Sequence, residues 1–107
     1  MKRSILSLSV MLVIASLLLA APLFAAEAFF KVGVVTELSG DLATGGNVTK
    51  RGYELWAQQV NAKGGIEIKG KKYPVKLYYA DAQSNPASGA SAAERLITQE
   101  HVDFILG

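Results

Sequence analysis

The sequence predicts an α/β fold built on a parallel sheet, and three observations support this prediction. A short valine-rich run at 31–38 is typical of a strand buried on both faces. Two longer stretches, 47–63 and the one that begins at Asn85, place apolar residues at helical spacing. Further apolar runs at 75–80 and 102–106 complete the order β-α-β-α-β, which is typical of parallel strands joined by crossover helices.

The first strand is predicted at Lys31 to Leu38, where the sequence reads KVGVVTEL. The first helix is predicted from about Asn47 to Lys63, and its inner stripe is predicted to consist of Val48, Gly52, Leu55, Trp56 and Val60. Gly52 lies in the middle of this stripe, where the lack of a side chain would let the helix approach the sheet closely. Gly64 and Gly65 are expected to end the helix.

The next segment is predicted to form a small hairpin that turns at Gly70, with its second arm continuing as the strand Val75 to Ala80. Asn85 is expected to cap the second helix, and Pro86 to occupy its first position, because proline lacks only an N–H that a helix start leaves unpaired. The last strand is predicted at Val102 to Leu106. The inner face of the second helix is predicted to consist of Ala90, Ala93, Leu96 and Ile97.

The residues alone leave two strand orders open. In the order 3-2-1, both helices lie on one face of the sheet. In the order 2-1-3 the chain reverses direction, and right-handed crossovers then place the helices on opposite faces. The second order makes the carboxyl ends of strands 1 and 3 a switch point, which is where open α/β sheets bind ligands.

Residues 1–28 are predicted to be a secretory signal peptide. A short basic start precedes a long apolar stretch, and Ala26-Glu27-Ala28 fits an A-x-A cleavage site. Cleavage after Ala25 and an uncleaved membrane anchor are the alternatives. Residues 29–107 are expected to be the N-terminal part of a longer protein, because the last strand would need a covering helix.

Composition narrows the functions that this chain could have. The predicted signal peptide contains Lys2, Arg3 and Glu27. The rest of the chain has nine Lys and Arg residues and eight Asp and Glu residues, so its positive and negative charges nearly cancel. A nucleic-acid partner is not expected, since such proteins carry a basic patch. The lack of cysteine excludes thiol catalysis and cysteine metal sites, and the single histidine argues against a zinc site. No catalytic constellation is apparent, so neither an enzyme activity nor a cofactor or metal is expected.

A glycine-rich loop separates the first strand from the first helix. Gly40 and Gly45 have the spacing of a phosphate-binding P-loop, but Gly46 and Asn47 stand where that motif needs Lys and Ser or Thr. The G-x-G-x-x-G of dinucleotide-binding loops is also missing. Two uses remain: a loop of small residues at a helix N-terminus that approaches a carboxylate or polar ligand closely, or a tight turn without a ligand.

Polar residues cluster at the turn after the second strand. Asp81 stands where a dinucleotide-binding protein places its ribose-binding acid, but the glycine loop of such proteins is lacking. Asp81, Gln83 and Ser84 are therefore expected to organise this turn rather than to contact a ligand.

Four segments resemble, in order and spacing, the start of the type I periplasmic substrate-binding proteins: VGVVTELSG, RGYELWAQQVNAKGGI, VKLYYADAQSNPASGASAAERLIT and VDFILG. The closest branch looks like the one that serves ABC importers of branched-chain amino acids. The resemblance covers residues 29–107. It implies a three-layer α/β fold with the strand order 2-1-3, in which two lobes close over a small solute. Residues 29–107 would then be the N-terminal part of the first lobe.

The resemblance also implies a function and a site. The protein would be a periplasmic, monomeric component of an ABC importer that binds a small amino-acid-like or polar organic solute and delivers it to a membrane permease. The residues expected to line the cleft are Leu42, Ala43, Thr44, Gly45 and Gly46. Aliphatic amino-acid binders of this family often carry an aromatic residue at the position of Gly45, which argues against a leucine-type specificity.

The alternative function is an exported α/β enzyme of flavodoxin-like topology. In that case its catalytic residues would lie beyond residue 107. A second lobe would favour the binding protein, and a nucleophile motif would favour the enzyme.

The signal peptide is expected to be removed on export. N-terminal sequencing of the exported protein should give a first residue at or near Phe29, or at Ala26 if cleavage follows Ala25. A protein that still begins at Met1 in the membrane fraction would contradict this prediction.

Overall fold

The computed structural model describes residues 28–107. The predicted signal peptide therefore lies outside the described residues, apart from Ala28. Within residues 28–107, neither helix has the length and apolar character needed to cross a bilayer. The elements follow in the order β1 (Phe30–Thr36), α1 (Ala43–Ala62), β2 (Ile66–Ile68), β3 (Lys71–Tyr73), β4 (Val75–Asp81), α2 (Pro86–Thr98) and β5 (Phe104–Leu106).

A three-stranded parallel sheet in the order β4-β1-β5 forms the centre of the fold. Phe30 pairs with Val75 at one end of β1, and Thr36 pairs with Asp81 at the other. On the opposite side of β1, Val32 pairs with Phe104. Strands β4, β1 and β5 correspond to the second, first and third strands that the sequence predicted. The predicted strand order 2-1-3 is therefore confirmed.

The two helices cover opposite faces of this sheet. Val32 is buried with Ala57 of α1 and with Val75 of β4. Gly33, the next residue along β1, faces α2, because a Cβ built on it would lie 3.0 Å from the Leu96 side chain. Since neighbouring residues of a strand point to opposite faces, α1 and α2 form the two outer layers of a three-layer fold. This confirms the predicted fold class.

Helix α1 begins at Ala43, four residues before its predicted start. Its first turn approaches the β1–α1 connection closely: Gly46 is buried, and a Cβ at this position would overlap the backbone carbonyl of Glu37. This contact requires glycine and fixes which side of α1 faces inward. Ala57, eleven residues or about three helical turns later, is buried on the same side.

The predicted inner stripe of α1 is wrong in three of its five positions. Trp56 and Val60 pack against the core. The other three are exposed, namely Val48, Gly52 and Leu55. A Cβ at Gly52 would meet no atom within 4 Å, so Gly46, not Gly52, is the glycine that permits close packing.

Helix α2 begins as predicted. The Asn85 side chain accepts hydrogen bonds from the backbone N–H groups of Ala87 at 2.8 Å and Ser88 at 3.2 Å, and Pro86 is the first helical residue. Its inner face differs from the prediction in part: Leu96 is buried as predicted, but the other buried residue is Ala92. Of the other predicted positions, Ala93 is half-buried, whereas two are exposed, namely Ala90 and Ile97.

The connection from α1 to β4 contains the predicted hairpin. The backbone N–H groups of Gly64 and Gly65 donate to carbonyls in the last turn of α1, and both glycines have positive φ, as expected for a helix stop. Strands β2 and β3 are antiparallel and turn at Gly70, which has φ +78°. They form a separate two-stranded sheet, so the second arm of the hairpin does not continue into β4, because Pro74 lies between them.

Two adjacent glycines allow the packing of α1 to be tested. Gly46→Ala should lower the free energy of unfolding by about 1–3 kcal/mol, since the new Cβ forces the Glu37 backbone to move. Gly45→Ala is the matched control, because its Cβ would meet no atom within 4 Å. It should raise stability by up to about 1 kcal/mol, the helix preference of alanine over glycine. Urea unfolding measures both, and equal effects would contradict the assigned packing.

Candidate functional site

Two connections meet where the strands of the parallel sheet end, which we call the carboxyl edge. Residues 37–42 connect β1 to α1, and residues 82–85 connect β4 to α2. Because Thr36 pairs with Asp81, the two connections leave the sheet side by side, and the Ala82 N–H donates to the Thr36 carbonyl at 2.9 Å. The structure thus places residues that are about forty positions apart in sequence at one edge.

The Asp81 carboxylate organises the first half of the β1–α1 connection. It accepts hydrogen bonds from the Leu38 N–H at 2.9 Å, the Ser39 N–H at 3.2 Å and the Ser39 hydroxyl at 2.6 Å. It also accepts from the Gln83 N–H at 2.8 Å. The Ser39 hydroxyl, followed by the Gln83 N–H, lowers the pKa of Asp81 below its ordinary value, because these donors favour the charged form.

Ser84 organises the second half of the same connection. Its hydroxyl donates to the Ser39 carbonyl at 2.9 Å and accepts from the Leu42 N–H at 2.9 Å. Both Gln83 and Ser84 have positive φ, 55° and 53°. Gly40 packs directly against Ser84, since a Cβ on Gly40 would lie 2.7 Å from the Ser84 hydroxyl. We call Asp81, Ser84 and their hydrogen bonds to residues 38–42 the loop clamp.

The clamp confirms that Asp81, Gln83 and Ser84 organise the turn after the second predicted strand. It also goes beyond that prediction, because hydrogen bonds of Asp81 and Ser84 hold the neighbouring connection as well. The sequence carried no local signal for this contact, since it joins two segments that are distant along the chain.

The five residues predicted to line the cleft form the start of α1 rather than a loop. Leu42 is the N-cap residue and is 59% exposed, and its side chain makes no capping hydrogen bond. Thr44 and Gly45 are exposed, and Ala43 is half-buried. Gly46 is buried and packs against the backbone of Glu37, so it contacts the β1–α1 connection and not solvent. The structure therefore presents Leu42, Thr44 and Gly45 to solvent at the carboxyl edge.

A polar cavity of about 250 Å³ lies beside the clamp, between the β4–α2 turn and α2. Asp81 and Gln83 line it from the turn. The other lining residues come from α2, namely Ala87, Ser88, Ser91 and Arg95. These helical residues are not among the site residues that the sequence predicted. Ser91 and Arg95 are polar and lie about one helical turn apart, so they share a face of α2. This spacing is the sequence signal that could have indicated a polar lining there.

A larger cavity of about 630 Å³ lies between α1 and β5. It is lined mainly by apolar and aromatic side chains from β1, β5 and α1, including Phe30, Val32, Trp56, Phe104 and Leu106. Several of these residues also belong to the core or pack against it. This cavity is therefore an uncovered part of the apolar face, and we assign it no role in binding a polar solute.

Tyr79 of β4 carries a buried ionisable group outside the two connections of the carboxyl edge. The Tyr79 hydroxyl is buried without a hydrogen-bond partner, and burial together with the charge of Glu54 raises the pKa of Tyr79. The Lys50 ammonium lies 5.1 Å from the Tyr79 ring centre and 3.7 Å from the Glu54 carboxylate. In this described part of the chain, no three acidic or histidine side chains come together as metal ligands would.

Comparison with known proteins gives matches over this whole region. A sequence profile of the periplasmic binding protein family matches residues 30–107. Leu/Ile/Val-binding protein homolog 7 of Brucella suis biovar 1 is 38% identical over 108 residues, which cover 100% of this chain and 24% of the relative. Homolog 3 of Brucella melitensis biotype 1 is 36% identical over 83 residues, 78% of this chain and 21% of the relative.

A solved structure is also similar. It is the branched-chain amino acid transporter substrate-binding protein LivJ from Streptococcus pneumoniae in complex with isoleucine. The TM-score is 0.66 at 33% sequence identity, and the match covers 74% of this chain and 22% of the LivJ chain. The chain thus spans between a fifth and a quarter of the length of these similar proteins.

The clamp predicts a particular pH dependence of stability. Because the folded-state pKa of Asp81 lies below its ordinary value of about 3.9, ionised Asp81 stabilises the fold above that pH and loses this effect as the pH falls further. Asp81→Asn should therefore lower the urea midpoint at pH 7 and have a smaller effect near pH 3. Asp41→Asn, on the same connection, is the control and should change little. An equal effect of Asp81→Asn at both pH values would contradict the assignment.

Proposed function

This chain belongs to the periplasmic binding protein family, and from that membership we propose that it is part of an extracytoplasmic solute-binding protein. Residues 29–107 form the N-terminal part of its first lobe in this proposal. The observation that carries it is the exposed start of α1, which follows β1 at the carboxyl edge and is held there by the Ser84 hydroxyl. In open α/β sheets this edge is where ligands bind, next to the strand at which the order reverses.

The start of α1 offers a small solute both apolar and polar contacts. Leu42 provides exposed apolar surface. The N–H groups of Thr44 and Gly45 lie in the first helical turn, where an α-helix supplies no acceptor, and the helix dipole favours a carboxylate or another polar acceptor there. Ala43 and Gly46 support this surface. Leu42–Gly46 therefore remains our proposed lining, with Leu42, Thr44 and Gly45 as the contacting residues.

The proposed ligand is a small amino-acid-like or polar organic solute. Two similar proteins are named as Leu/Ile/Val-binding homologs, and the similar solved structure holds isoleucine. Branched-chain amino acids are therefore the first candidates to test. Gly45 leaves open space beside Leu42, since its Cβ position has no neighbour within 4 Å, and this space favours a solute with a larger substituent.

The proposal extends to location and partner. An exported, monomeric binding protein in the periplasm would deliver its solute to the membrane permease of an ABC importer, without a cofactor. The alternative of an exported enzyme would need catalytic residues beyond residue 107. The Asp81 carboxylate at the carboxyl edge is occupied by four hydrogen bonds to its own chain and is kept ionised by them, which makes it a poor general acid or base.

A ligand screen on the exported protein at its natural length tests this function. Thermal unfolding is measured with each of the twenty amino acids and with a set of small polar organic acids and amides. A solute that binds only the folded state at 100 times its Kd should add about 2.7 kcal/mol of stability. If none of these solutes raised the unfolding temperature, the proposed ligand class would be wrong.

The open space at Gly45 gives a second prediction. Gly45→Phe should fill this space and lower the affinity for the largest solute found in the screen by at least about tenfold, or 1.4 kcal/mol. Smaller solutes should be affected less. Gln58→Phe, which adds the same ring to an exposed position of α1, is the matched control. Isothermal titration calorimetry measures both variants, and unchanged binding by Gly45→Phe would remove Gly45 from the site.

A further inference from the structure

We propose that Ser84, assisted by Asp81, is a positioning residue of the binding site. Its hydroxyl acts as a helix cap for α1 from a distant part of the chain and holds the start of that helix ready for ligand. This inference rests on the proposed function, because it assigns the control of affinity to residues that do not themselves contact the solute.

Helix α1 has no cap of its own. Its N-cap residue is Leu42, which has no polar side chain, and no acidic residue lies in its first turn. Helix α2, in contrast, is capped by its own N-cap residue, since the Asn85 side chain accepts two hydrogen bonds from its first turn. For α1, the Ser84 hydroxyl accepts the Leu42 N–H across 42 positions of sequence. The orientation of the exposed first turn therefore depends on the β4–α2 turn.

The clamp holds the whole approach to α1, not only its first residue. Five hydrogen bonds join two side chains of the β4–α2 region to residues 38–42, three to Asp81 and two to Ser84. Asp81 fixes Leu38 and Ser39, whereas Ser84 joins Ser39 to Leu42. A connection held at both of its ends cannot change its path without breaking several of these bonds, so the loop is preorganised before ligand binds.

The backbone conformation of Ser84 supports a role for its hydroxyl. Ser84 has φ +53°, in the left-handed region that L side chains disfavour and glycine adopts freely. Glycine would thus suit the backbone at this position better than serine. Serine adds the hydroxyl that bridges Ser39 and Leu42, against which Gly40 packs closely. Such local strain is typical of functional positions.

Asp81 is ionised at neutral pH, because the Ser39 hydroxyl and then the Gln83 N–H lower its pKa, so its part of the clamp is intact there. Glu37 and Asp41 belong to the connection that it holds, and Arg95 of α2 lines the same polar cavity. The first turn of α1, from Ala43 to Gly46, carries no charged side chain. Substitution of Ser84, rather than a change of pH, is therefore the direct test of the clamp.

The test compares Ser84→Gly with Gln83→Gly in the exported protein at its natural length. Both substitutions remove an L side chain from a left-handed backbone position, but only the first removes the bridging hydroxyl. Ser84→Gly should keep cooperative unfolding near the wild-type temperature, because relief of backbone strain offsets the lost hydrogen bonds. It should nevertheless speed hydrogen exchange of the Leu42 amide and weaken binding, each by at least about tenfold, or 1.4 kcal/mol for the binding free energy.

The binding measurements use calorimetric titration with L-isoleucine and with the tightest-binding solute of the thermal screen. Gln83→Gly should remain close to wild type in exchange and in affinity. If Ser84→Gly left both the Leu42 exchange rate and the affinity unchanged, or if Gln83→Gly reduced them equally, the assigned role of the hydroxyl would be wrong. Ser84→Ala is the second variant, which removes the hydroxyl and keeps the backbone strain.

Failure of the positioning role and failure of the proposed function give different results. If the wild-type protein binds no solute of the screen, the proposed function fails, yet faster Leu42 exchange in Ser84→Gly still supports the clamp. If wild type binds and Ser84→Gly binds equally well, only the positioning role fails. Unfolding of both serine variants would also contradict the positioning role, because the hydroxyl would then act on the fold as a whole.

Discussion

The position of β1 between two parallel strands is the constraint on which the rest of the structure depends. Val32, Gly33 and Val34 are buried in the middle of this strand, and their alternating directions require a cover on each face of the sheet. Right-handed crossovers satisfy this requirement, since the chain moves from β1 to β4 on one side and returns past β1 to β5 on the other. Both crossovers leave from the carboxyl edge, which brings their connections together.

The contact between these two connections gives the β1–α1 connection a defined conformation. Parallel sheets place loops at the carboxyl edge but leave their conformations open. Here the carboxylate of Asp81 and the hydroxyl of Ser84 satisfy backbone N–H groups of the β1–α1 connection that would otherwise need water. At the next turn, Gly46 brings α1 against the Glu37 carbonyl. The exposed surface at Leu42, Thr44 and Gly45 is thus held by hydrogen bonds on one side and by close packing on the other.

The polar cavity and the apolar cavity differ in the chemistry of their lining residues. The polar cavity lies at the carboxyl edge and shares Asp81 and Gln83 with the turn that builds the clamp. The apolar cavity lies over β1 and β5 and is lined by residues that also form or contact the core. A solute with charged groups would lose hydration in the apolar cavity without gaining hydrogen bonds there. The apolar cavity is therefore a poor location for the small polar solute that we propose.

The sequence by itself determined the features that depend on neighbouring residues. Asn85 with Pro86 marked the start of α2, Gly64 with Gly65 marked the end of α1, and Gly70 marked the hairpin, because capping and turn geometry are local. Residues alone left the strand order open between two arrangements, and the family resemblance indicated the correct one.

Only the tertiary structure decided which side of α1 faces inward and where that helix begins. The apolar residues Val48 and Leu55 predicted one face, but the close contact of Gly46 with Glu37 selected another. The loop clamp was likewise decided by tertiary structure. Its hydrogen bonds join residues more than forty positions apart, and they exist because parallel pairing of β1 with β4 brings Thr36 beside Asp81. Local sequence patterns carry no information about such a register, since it is set by packing across the whole sheet.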